Sequence, residues 1–101
     1  MKFGLSTEQF EILNELLIKP LKSKKAMLYV FGSRARGSHH PYSDLDILFE
    51  EESGFEISSS ELSKIKENLE ESKLAIKVDL VRSCDLAKSY LQSVNADKIL
   101  L

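Results

Sequence analysis

The chain has 101 residues, 43% hydrophobic and 30% charged, which is room for a single domain over residues 1–101 with one modest core. Its net charge of −2 argues against a nucleic-acid duplex as the main ligand, because such binders carry basic surfaces. One cysteine, Cys84, excludes an internal disulfide, and no apolar run approaches the roughly 20 residues that span a bilayer, so a cytoplasmic protein without membrane contact or export signal is expected.

Ser6-Thr7-Glu8-Gln9 reads as a helix start, with Ser6 as cap and Gln9 three positions on. Phe10, Leu13, Leu16 and Leu17 then recur at helical spacing, and Pro20 is expected to end the element. Residues 26–31 are apolar at nearly every position, the pattern of a central strand. Residues 33–37 form a short helix or turn, and Pro41 keeps 39–43 a loop. A second strand follows at 45–49. After the acidic turn Glu50-Glu51-Glu52, a helix runs from Ser58 to about Ser72. Its stripe of Leu62, Ile65 and Leu69 is narrow, as on a peripheral helix.

The third strand is expected over residues 74–81, and a last helix over 85–94 with Leu86, Tyr90 and Leu91 inward. Tyr29, Tyr42 and Tyr90 read as packing residues. An apolar end at 96–101 is unsuited to water, so it packs back on the sheet or docks on another chain. This order predicts an α+β fold, a two-layer α/β arrangement with a small mixed sheet covered mainly on one face.

Ten residues separate Gly32-Ser33 from Asp44-Leu45-Asp46, and this segment carries the chemistry. Glycine permits close backbone approach, and amide N–H groups where a strand turns into a helix bind anions. Ser33 adds a hydroxyl donor, while Arg34 and Arg36 add positive charge beside a phosphate. Side chains alternate along a strand, so Asp44 and Asp46 share one face and Leu45 and Ile47 the other. Two carboxylates that close repel unless a cation neutralises them, and hard oxygen ligands favour Mg²⁺.

Asp79 interrupts a third apolar run, where a lone buried acid is costly. It makes sense beside Asp44 and Asp46. Three carboxylates are enough for two Mg²⁺ ions acting on a nucleoside triphosphate. The layout suits nucleotidyl transfer, with Asp79 as candidate general base. His39-His40 has no further His or Cys to support a zinc site and reads as a solvated loop near the entrance.

The string Gly32-Ser33-Arg34-Ala35-Arg36-Gly37, followed by Ser43-Asp44-Leu45-Asp46 and the later strand Asp79, resembles the polymerase-β-type nucleotidyltransferase superfamily. In a chain this short it is most similar to the minimal nucleotidyltransferases. The resemblance covers roughly residues 25 to 82. It implies a polymerase-β-like fold, with Gly32 and Ser33 on the triphosphate and Mg²⁺ on Asp44, Asp46 and Asp79. It also implies ATP as substrate, a HEPN-type toxin as partner and a toxin tyrosine as the acceptor of AMP.

Larger relatives use extra domains to hold an acceptor. Here a partner or a second copy, in a hetero-oligomer or homodimer, is expected to complete that site. Two other functions compete with transfer to a toxin: neutralising the toxin by docking alone, and transfer to a small molecule.

Overall fold

The computed structural model describes residues 3–101. Ser6 caps α1 (Thr7–Leu13) with a reciprocal pair of bonds. Ser6 Oγ accepts from the Gln9 N–H at 3.1 Å, and Gln9 Oε1 accepts from the Ser6 N–H at 2.9 Å. Pro20 does not end the helix. A π-helical stretch, Asn14–Ile18, carries the chain into α2 (Lys19–Ser23), where Pro20 sits in the first turn. The Lys19 N–H bonds Asn14 O, five residues back, so the ladder is widest just where a proline ring would press on the preceding turn. Leu13, Leu17 and Leu21, at four-residue spacing along this loosened helix, are all fully buried.

The frame is a four-stranded mixed sheet in the order β3-β2-β1-β4, in which β4 is the short strand Ile99–Leu100. β1 (Met27–Phe31) pairs antiparallel with β2 (Leu45–Glu50), and β3 (Val78–Arg82) runs parallel to β2. Alternation divides the side chains between two faces. Leu28, Val30, Leu45, Ile47 and Phe49 turn to the helices, and all are buried. α4 (Ser59–Glu70) adds Ile65 and Leu69 to the same cluster. Burial stabilises each such side chain by about 1.5–3 kcal/mol, so this layer is the main hold on the fold.

The third strand and the last helix both start later than the sequence expectation. The third strand begins at Val78 because β2 offers its first partner at Leu45; the expected strand residue Leu74 is buried in the core instead. The last helix, α5 (Lys88–Asp97), starts late because a 3₁₀ turn, Ser83–Asp85, first closes onto Leu86. Its buried residue is Val94; Tyr90 and Tyr42 are exposed and are not packing residues.

The chain end does pack back. β4 (Ile99–Leu100) pairs antiparallel with β1, and the Leu101 N–H bonds Leu28 O at 2.9 Å. α5 lies beside β1 on the face away from the main core. There Lys98 Nζ stands 3.5 Å from Glu50 Oε1 and 4.4 Å from the centre of the Tyr29 ring. That face is therefore covered toward β1 and open toward β3. Among the described residues no helix is long and apolar enough to cross a membrane.

Replacing Ser6 with alanine removes the cap of the helix that supplies Leu13, Leu17 and Leu21. We expect a loss of about 1 kcal/mol of unfolding free energy, read by urea denaturation. An unchanged midpoint would show that the cap carries no stability.

Candidate active site

Register brings the predicted acids together. Asp46 pairs with Phe31 on one side and with Asp79 on the other. Directly paired residues share a face, so the Asp46 and Asp79 carboxyls stand side by side on the open part of the sheet. Asp44 lies just before β2, exposed, and near enough to act on Asp46 through its charge.

Gly32 follows Phe31, so the same register sets it against Asp46. A Cβ on Gly32 would lie 2.5 Å from Asp46 Oδ2. Its dihedrals, φ 76° and ψ −155°, belong to a region that essentially only glycine occupies. Glycine is thus required twice, by conformation and by the carboxylate. Ser33 opens α3 (Ser33–Arg36), whose turn is closed by bonds from the Arg36 N–H to Gly32 O and from the Ser38 N–H to Ser33 O.

The two arginines part company. Arg34 is buried, 3% exposed. Its Nε donates to Ser43 O at 3.0 Å, Nη1 to Phe3 O at 2.8 Å and Nη2 to Pro41 O at 3.1 Å. A buried cation is costly unless its donors are satisfied, and here three carbonyls engage all three nitrogens. Arg34 therefore clamps the chain start to the loop that ends at Asp44, rather than facing the open side of the sheet. Gly4 serves the clamp, since a Cβ there would meet His39 Nε2 at 2.0 Å and Arg34 Nη1 at 2.9 Å. His39, expected in a solvated loop, is half-buried against this glycine.

Arg36 remains half-exposed and faces the acids closely enough to oppose the upward shift of Asp46. Its Nη1 lies 2.6 Å from Asp97 Oδ2. Asp97 was not singled out from sequence. The expected helix end at residue 94 leaves Asp97 outside the last turn, so only the longer helix of the structure brings it to Arg36.

Burial first, then the charges of Asp79 and Asp44, push the Asp46 carboxyl above its ordinary pKa. Lys77 Nζ is 3.8 Å from Asp79 Oδ1, but this pair is too exposed to neutralise the group. Among the described residues no three acids, histidines or cysteines form a preassembled metal cluster. The donor set nevertheless fits a hard divalent cation: carboxylate oxygens on one face, one of them held back from ionising by its neighbours.

Two outcomes follow for the protein without divalent cation. Gly32→Ala forces a forbidden backbone and a contact with Asp46 Oδ2. Chemical denaturation should show a loss of about 2 kcal/mol, and a loss near zero would mean the turn is not held by the carboxylate. Asp46→Asn should melt higher than the parent at neutral pH. Because the folded pKa of Asp46 is raised, its contribution is present at low pH and lost as pH rises through the folded value. The gap between variant and parent should close on acidification into the carboxylate range; a constant gap would exclude titration as its cause.

Known proteins share this fold. The family described as nucleotidyltransferase domain matches residues 11–100. A solved structure of a candidate minimal nucleotidyltransferase is 30% identical, with a TM-score of 0.71, over 96% of this chain and 97% of that one. A chain in the crystal structure of a toxin-antitoxin with AMP-PNP is 26% identical, with a TM-score of 0.65, over 86% of this chain and 70% of that one. A candidate nucleotidyltransferase from Sulfolobus solfataricus, 22% identical over 92% of this chain and 78% of that one with a TM-score of 0.52, shares the fold. No curated protein matches. With the family covering most of its length and the sheet, turn and acids arranged as described, the chain belongs to the nucleotidyltransferase domain family.

Proposed function

We propose that this nucleotidyltransferase moves AMP from ATP, with Mg²⁺, to a hydroxyl of a partner protein, a tyrosine of a HEPN-type toxin, and so acts as an antitoxin. The observation that carries the chemistry is the register: Asp46 beside Asp79, with the Gly32 turn against the same carboxylate. The partner reading is supported by the likeness to a toxin-antitoxin chain crystallised with AMP-PNP, and the toxin class by the resemblance of the motif.

Asp44, Asp46 and Asp79 would hold the cation, which when bound supplies charge neutralisation for the triphosphate and the acceptor oxygen. The Ser33 hydroxyl, the amides of the Gly32 turn and the Arg36 guanidinium are donors for phosphate oxygens. The acceptor oxygen forms a bond to the α-phosphorus as the bond from that phosphorus to the oxygen bridging the β-phosphate breaks. Pyrophosphate leaves with the electron pair. The acceptor proton passes to the Asp79 carboxylate and on to water, which reaches it because the side chain is partly exposed.

The test is to incubate the protein with ATP, Mg²⁺ and its co-purified native partner and to weigh the partner. A gain of one or more AMP units is expected. Asp79→Asn should lower the rate about 100-fold or more while leaving ATP binding largely intact. Full rate in Asp79→Asn or Asp44→Asn would overturn the site assignment. A tight complex without mass gain in the parent would replace transfer by neutralisation through docking.

A further inference from the structure

β3 is the outer strand of the sheet on the side where the acids stand. One bond fixes how its backbone is turned: the Leu45 N–H donates to Lys77 O at 2.9 Å. Successive residues of a strand point their N–H and C=O groups to opposite edges, so residues 77, 79 and 81 address β2. Val78 and Leu80 therefore turn theirs outward. Neither has a backbone partner among the described residues beyond the pairing with β2. Asp79 sits between these two free positions.

A cavity of about 360 Å³ wraps this edge. On one side it touches Asp46 and Asp79. On the other it reaches Leu69 of α4, with Leu74 and Ile76 of the segment leading into β3. Its lining thus comes from both faces of the sheet, Asp46 and Asp79 from one and Leu69 and Leu74 from the other. Lys66 and Lys77 also line it, against Glu70 as the one carboxylate outside the acid pair. With the acids committed to a cation, the remaining rim is positive.

We propose that the free edge of β3 docks the acceptor: an extended segment of the partner protein pairs with Val78 and Leu80 as a fifth strand. Its hydroxyl-bearing residue lies beside Asp79, and the adjacent residue, an apolar one, turns into the groove at Leu69, Leu74 and Ile76. The inference rests on the transfer reading above and names how its acceptor is held. Backbone bonds supply affinity in strand addition, and pockets for alternate side chains supply specificity. Period-two alternation is what sends the hydroxyl and its neighbour to opposite faces. Lys66 and Lys77 select acidic residues at the flanks.

Hydrogen exchange on ¹⁵N-labelled protein tests this directly. The probe is the acetylated, amidated peptide Asp-Glu-Leu-Tyr-Leu-Glu-Asp, added with Mg²⁺ and a non-hydrolysable ATP analogue. Exchange at the Val78 and Leu80 amides should slow about tenfold or more, while Asp79 and Val81, already paired to β2, change little. The same peptide with proline for both leucines should give no protection. Lys66→Glu, on the exposed rim, should raise the peptide concentration needed severalfold.

Unchanged exchange at Val78 and Leu80 with millimolar peptide overturns the proposal. So does slowing that follows protein concentration alone, which would assign the edge to a second copy of this chain. Substituting ATP for the analogue separates the two readings. Protection without AMP on the tyrosine keeps the docking strand and rejects transfer; AMP on the tyrosine without protection does the reverse.

Discussion

The pairing of β2 with β3 is the constraint on which the rest depends. It sets Asp46 against Asp79, two like charges side by side on the open part of a sheet. The core holds them there. Leu45 and Ile47 flank Asp46, and both are fully buried on the opposite face. A one-residue slip would bring Asp46 into the core and Leu45 and Ile47 into water, so the apolar face locks the register of the acidic one. Burial on one face of each strand supplies the stability while the acids stand on the other, and the repulsion at the acids is tolerated because the layer beneath outweighs it.

The turn and the loop around the acids are held by means that propensity alone would not suggest. Gly32 adopts its unusual backbone because Asp46 occupies the space a side chain would need. The Arg34 guanidinium fixes Phe3, Pro41 and Ser43 at once, so the residue before Asp44 has a defined place. Three bonds from one buried side chain thus hold the loop that leads into Asp44.

The last helix and strand tie the two sides of the site to the sheet edge. Asp97 meets Arg36, Lys98 meets Glu50 and lies over Tyr29, and β4 pairs with β1. At the other end of the sheet, Arg82 bonds Glu51 and Ile57 O, anchoring the end of β3 to the loop after β2. Both outer strands are secured by such contacts, while α5 covers the open face of the sheet only toward β1. The edge beside Asp79 is left with outward amides, and this asymmetry leaves room for another chain at the acids.

Much of this was legible in the sequence. Alternation in 45–49 assigned Asp46 and Ile47 to opposite faces, Ser6 and Gln9 marked a helix start, and the spacing of Gly32-Ser33 from Asp44 and Asp46 pointed to the site, because local periodicity and capping depend on near neighbours. The π-helical passage through Pro20, the start of β3 at Val78, the engagement of Arg34 by three carbonyls and the ion pair of Arg36 with Asp97 were decided only by the tertiary structure. Each depends on a partner far along the chain or on the shape of the packed core. A sequence shows which side chain is charged or apolar; only the closed fold determines which of the available partners reaches it first.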